Sequence, residues 1–246
     1  MNNFKAIFIK QMTSLIKVPS MIIQGLMFLL IAAAFVFFLW DDDDYECASC
    51  IPAYVCATCE ADAINIPLPS GVALFAVIFI GLALVGSASA MVYEDKLTSN
   101  LRFMAMADVK PHQYLLGTVL SCIIVVAVLL VFYALLGRYF GADFVRFMGI
   151  GLFGGLVSIL LVIVIALSKY PLFATPISLI LGLAPTFSNA SEALARVLQF
   201  TFIQQVNLAM AELDADLTQN FLIIAANGLV ILAAFIFMHR KNKLNV

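Results

Sequence analysis

Five times along this 246-residue chain an apolar run of roughly twenty residues occurs, the length at which an α-helix crosses about 30 Å of hydrocarbon. The runs are Met21 to Trp40, Val72 to Val92, Leu115 to Leu136, Phe147 to Leu167 and Phe221 to Met238. A further run, Leu172 to Phe187, is shorter and carries Pro176 and Pro185, so it reads as a sixth span with a break in it. None of the runs alternates polar with apolar residues as a membrane barrel strand does. A bilayer interior admits only helices or closed barrels, because backbone polar groups find no water there. The expected fold is therefore an all-α integral membrane protein with six transmembrane helices in a single domain over residues 1–246. Composition agrees, since 64% of residues are hydrophobic and 11% charged, against about a quarter charged in soluble domains.

Basic residues near span ends stay in the cytoplasm. Placing the N-terminus inside puts ten of the thirteen Lys and Arg residues there and leaves Arg138, Arg146 and Arg196 outside. Of the acidic residues only Glu94, Asp95 and Asp108 then lie inside. Both termini are expected in the cytoplasm, in the plasma membrane. The first apolar run ends at Trp40 and Asp41 without a small-residue cleavage site, so it is expected to stay as a span and not to be removed as a signal peptide. Before it, in residues 1–18, Phe4, Ile7, Phe8, Met12 and Leu15 share one helical face and Lys10, Thr13 and Lys17 the other. That pattern suits a helix lying in the membrane interface, with Pro19 bending the chain before the first span.

The external loop, residues 41–66, holds "DDDDYECASCIPAYVCATCEAD". Cys47, Cys50, Cys56 and Cys59 form two CxxC pairs five residues apart. Outside the cell thiols tend to oxidise, so disulfides are the default, in any of three connectivities. A tetrathiolate zinc site is the alternative, although zinc pairs usually have more chain between them, and a redox-active pair is a third. Asp41 to Asp44 suit a solvated collar, or an attractor of cations. Cys122 lies within the third span and reads as packing.

The longest cytoplasmic connection is "YEDKLTSNLRFMAMADVKPHQYLLG", in which Leu97, Leu101 and Met104 recur at helical spacing. This predicts a short amphipathic helix that begins near Glu94 and Asp95 and ends before Pro111. Acidic residues closing the second span, a short helix, a Lys-Pro turn and "YLLG" opening the third span resemble the permease subunits of the type-2 ABC exporter family. The residues that carry the resemblance are Glu94, Asp95 and Lys96, Leu101, Lys110, Pro111, and Leu115 to Gly117. The sequence departs from the family pattern at Leu97 and Thr98, where Gly-Thr is usual, and at Thr118, where Lys is usual.

The resemblance implies a dimer of permeases, identical or related, with two separate ATPase subunits. Residues 94–113 would be the coupling segment, with Leu97, Leu101, Phe103 and Met104 buried in the ATPase and Glu94, Asp95 and Arg102 fixing orientation. It also implies a re-entrant external helical hairpin between spans five and six, which residues 188–217 suit because Gln204, Gln205 and Asn207 interrupt an apolar stretch. No GxxxxGK[ST] run occurs in the chain, so it is not expected to be an enzyme or to hold a cofactor. ATP and Mg would be bound by the partner subunit; nucleic acid is not an expected partner. The implied cargo is amphipathic: a peptide, antimicrobial, lipid or drug.

No ionisable side chain lies deep in a span, which argues against ion-driven transport. The polar residues left within spans include Gln24, Ser121, Ser158 and Asn227. They suit helix-to-helix hydrogen bonding, while Gln24, Ser158 and Asn227 are also candidates for a substrate path. Gly151 with Gly155, and Gly86 with Ala90, permit close helix approach. The rival reading from the cysteines is a membrane thiol oxidoreductase.

Overall fold

The computed structural model describes residues 2–17, 19–38, 68–98, 111–168, 173–187, 192–213 and 217–243. Among them no strand occurs, and the helices follow the apolar runs. The first helix, α1 (Asn2–Lys17), ends before Pro19, whose carbonyl accepts from the Ile23 amide and so opens α2 (Ser20–Phe38). One long helix follows in three parts: α3 (Leu68–Ile78), a π-helical segment (Phe79–Leu84) and α4 (Val85–Leu97). Then come α5 (Pro111–Leu136) and α6 (Ala142–Leu167). Three shorter pieces, α7 (Ala174–Phe187), α8 (Glu192–Leu198) and α9 (Phe202–Ala211), precede the last helix, α10 (Thr218–Lys243).

Among the described residues, five helices are long and apolar enough to cross a membrane: α2, the combined α3–α4, α5, α6 and α10. This is a multi-pass membrane architecture. The span limits lengthen where a helix-compatible residue continues the run. Pro111 sits at the first position of α5, where its missing amide would have had no partner. The chain reverses between α5 and α6 through Arg138 in the left-handed region, with the Tyr139 amide bonded back to the Ala134 carbonyl. That is the hydrogen-bond closure of a helix C-terminus.

The sixth expected span differs from its sequence reading. Pro176 and Pro185 do not break α7: Pro176 lies in its first turn, where an amide has no intrahelical partner, and Pro185 in its last turn, where one bond is lost with little helix left to follow. At 14 residues the helix is only about 21 Å long, shorter than a hydrocarbon core. Pro171 lies outside the described residues.

The combined helix α3–α4 passes through the centre of the bundle, and 78% of its apolar window is buried. It is flanked by α2, α6, α7 and α9. Hydrocarbon solvates apolar side chains as well as a protein core does, so helices in a membrane hold together by close packing of small residues. The crossing with α7 shows this at backbone range. A Cβ on Gly81 would lie 2.9 Å from the Gly182 Cα, and one on Gly182 would lie 2.5 Å from the Leu82 Cβ. Gly151 and Gly155 pack within the chain, against Leu130 with Met210 and against Val126, while Gly86 faces Ser178. The apolar windows of α2 and α10 are buried over only 17% and 6%.

The Gly182 contact leads to a comparison of two substitutions. Gly182→Ala forces α7 and the π segment apart at Leu82 and should cost about 1–3 kcal/mol, as overpacking does. Gly149→Ala meets nothing within 4 Å and should be neutral or stabilising by up to about 1 kcal/mol from helix propensity. Thermal unfolding of the purified chain in detergent, run side by side, checks both.

Candidate functional site: a buried carboxylate where four helices end

Most charged residues of a membrane bundle belong at its rims, and Asp95 is on the last turn of α4, so exposure would be expected. Instead it is 6% exposed. Three side chains from two other helices hold it: the Lys10 ammonium donates at 2.6 Å, the Gln11 amide at 2.9 Å and the Tyr114 hydroxyl at 3.0 Å. A buried carboxylate without such donors would be several kcal/mol unfavourable. With them it fastens α1 and the start of α5 to the end of α4.

Each partner is delivered by local structure. Ile7, Gln11 and Leu15 recur every four residues on α1 and are the helix's buried positions, so Gln11 points inward among apolar neighbours. Lys10 is next to it, and its long side chain reaches the carboxylate from the rim while its own surface stays 38% exposed. Helix α1 crosses α5 at Gly117, where a Cβ would come within 2.8 Å of the Ile7 side chain. Tyr114 lies one turn earlier on α5, which brings its hydroxyl over Asp95. Gln11 Oε1 is buried and has no hydrogen-bond partner among the described residues.

Neighbouring side chains at this end extend the ties. The Lys96 ammonium donates to the Ser168 carbonyl at 2.8 Å, joining α4 to the end of α6. Two turns before Asp95, the Ser87 hydroxyl donates to the Gln24 side-chain oxygen at 3.0 Å, joining α4 to α2. Glu94 is exposed and lines a small cavity with Ser14, Leu15 and Ser20. Leu97 is 65% exposed.

The structure therefore redistributes the sequence expectations. The helix expected to begin near Glu94 does not begin there: α4 runs on through Leu97, and the Thr98 amide bonds to the Glu94 carbonyl. Asp95, expected to face a partner, faces α1 and α5. Lys10, placed on the polar face of α1, supplies the ion pair. Leu101, Arg102, Phe103 and Met104 lie outside the described residues, as do Cys47, Cys50, Cys56 and Cys59. Cys122 is a buried free thiol. Among the described residues no cluster of His, Cys, Asp or Glu could hold a metal ion.

Gln24, Ser158 and Asn227 do not form one site. Gln24 pairs with Ser87; Asn227 donates to the Phe200 and Ile223 carbonyls; Ser158 is fully buried, its hydroxyl unpartnered among the described residues. At the other end of the bundle, Gln204 and Gln205 of α9 are buried, and Gln205 donates to the Gln199 carbonyl. Helix α9 packs on α3, α6, α7 and α10, while α8 leans on α7. Tyr139 stacks on Phe147 at 4.5 Å near the same end, and burial, with the Asp143 carboxylate adding to it, pushes its phenol pKa upward.

Sequence reasoning missed Gln11 and Tyr114. Gln11 had a signal, being a polar residue midway between Ile7 and Leu15 on an apolar face; Tyr114 had none beyond its place in "YLLG". Compared with family models, with curated proteins and with solved structures, the chain finds no match.

Loss of carboxylate from this site should be costly where loss of an exposed charge on α1 is not. Asp95→Ala made together with Glu94→Gln, so that no carboxylate is left at the end of α4, leaves Lys10, Gln11 and Tyr114 without an acceptor and should destabilise the chain by about 2–4 kcal/mol. Lys5→Ala, on the exposed face of α1, should stay within about 0.5 kcal/mol. Unfolding midpoints in one detergent compare the two, and labelling of an Ile7→Cys variant by a small maleimide should accelerate only when both carboxylates are removed.

Proposed function

We propose that the chain is the permease subunit of a type-2 ABC exporter, moving an amphipathic peptide, antimicrobial, lipid or drug outward. In this reading two permease chains, identical or related, work with two separate ATPase subunits that bind ATP and Mg. Both termini are cytoplasmic and the membrane is the plasma membrane. Helix α7 is the fifth of six spans, and α8 with α9 is the re-entrant external hairpin before the last one.

The observation that supports the reading most is the build of the Asp95 end. The central helix α3–α4, the most buried of the described spans, ends there inside the expected coupling segment, residues 94–113, which connects α4 to α5. The helices on both sides of that segment share the Asp95 cluster with α1. A partner that pushes on the segment moves α1, α4 and α5 as one body, which is the kind of rigid displacement that switches a packed bundle between two arrangements. The largely uncovered apolar lengths of α2 and α10 leave room for a second permease chain among the lipids.

Affinity purification of the tagged chain from its native membranes should bring down a stoichiometric ATPase, and Leu101→Asp should release it while the permease stays folded. Recovery of the folded chain without any ATPase, together with turnover of the loop cysteines against a quinone or a thioredoxin-like protein, would replace this reading with the oxidoreductase. For topology, a membrane-impermeant maleimide added to reduced intact cells should label Cys47, Cys50, Cys56 and Cys59 and spare Cys122.

A further inference from the structure

A π-helical segment holds one residue more than the α-helix that would cover the same path, and here it lies between two halves that are anchored separately. Helix α3 is fixed by Phe75 against Phe35 of α2, with ring centroids 5.9 Å apart, and by Gly71 against the same ring. Helix α4 is fixed by Ser87 on Gln24, by the Asp95 cluster and by Lys96 on Ser168. Between them, five of the six residues from Phe79 to Leu84 are buried, and the segment meets Gly182.

If the segment tightened to α-geometry with α3 held in place, α4 would advance by one residue, a rise of about 1.5 Å and a turn of about 100°. The residue arriving at the position of Asp95 would then be Glu94. The sequence has a second carboxylate at the one position where such a step requires it. A cavity of about 40 Å³ lies beside Glu94, lined by Ser14, Leu15 and Ser20 from α1 and the start of α2, enough room for a water or for a longer side chain to turn. Of the three polar ties on α4, the step preserves the carboxylate in the cluster. It breaks the other two, because Gly86 replaces Ser87 opposite Gln24, and Asp95 replaces Lys96 opposite the Ser168 carbonyl.

We propose that the π segment Phe79–Leu84 is a register switch, which lets α4 step by one residue and exchange Asp95 for Glu94 as the partner of Lys10, Gln11 and Tyr114. The contact of Gly81 and Leu82 with Gly182 makes α7 the helix that feels the step first. In one register α4 is tied to α2 and α6; in the other it is held at the Asp95 site alone. The switch stands on the geometry of the bundle and does not require the transport reading.

Double-mutant cycles on the purified chain in detergent test it. In the natural background Asp95→Asn should lower the unfolding midpoint by only about 2–4 °C, because Glu94 steps in. Glu94→Gln alone should change it little, and the two together should lower it by clearly more than the sum. Deleting Ala83 removes the extra residue, so a regular helix places Asp95 in the cluster and the step is lost. In that background Asp95→Asn should take the whole loss and Glu94→Gln should add nothing. Additive effects in the natural background overturn the proposal, and so does equal coupling in both backgrounds, which would be plain electrostatics between neighbours. Should the deletion variant fail to fold, hydrogen exchange decides. Asp95→Asn should slow the amides of Phe79–Leu84 roughly tenfold as the segment takes α-geometry, and unchanged exchange there would overturn the switch.

Discussion

The arrangement of this bundle depends on one contact made by backbone. Where the central helix crosses α7, Gly81 and Gly182 bring two main chains closer than any pair of larger residues would allow. Helix association in a bilayer draws little from the hydrophobic effect, so van der Waals contact at such crossings is a main source of cohesion. Leu82, pressed against Gly182, fixes the rotation of the helix at that level, and the π segment is the local geometry that puts Leu82 there.

From that crossing the polar features follow in order along one helix. Ser87 reaches α2, Asp95 reaches α1 and α5, and Lys96 reaches α6, so a single helix carries contacts to four others within three turns. The interactions differ in kind. The Ser87 hydrogen bond is a neutral pair, worth about 1 kcal/mol, whereas Asp95 carries a charge whose burial requires all three donors. The end of the bundle near Asp95 is consequently the place where α1, α4 and α5 cannot move independently.

The five long apolar helices were legible from run length alone, since the thickness of a bilayer demands it. The end of α4 was less so. Glu94, Asp95 and Leu97 read as the opening of a separate helix, because an acidic pair is a good helix start; in the structure they close the preceding one. Proline was over-read in α7, where Pro176 occupies the first turn, which needs no amide, and Pro185 the last, where little helix remains to be broken. The small-residue pair Gly151 and Gly155, which sequence could only mark as permitting close approach, packs against α5 and α9 within the chain.

What the sequence determined by itself is what depends on local composition and the solvent: that the chain is helical, that it crosses a membrane several times, and where α1 must part from α2. What only the tertiary structure decided is the direction of each polar side chain and the local pitch of the central helix. A lone aspartate at a helix end has no preferred partner in sequence, and it found one 85 residues away in Lys10. The π segment has no signature in "FIGLAL", because its extra residue is set by the need to satisfy packing on both sides of Gly182 at once.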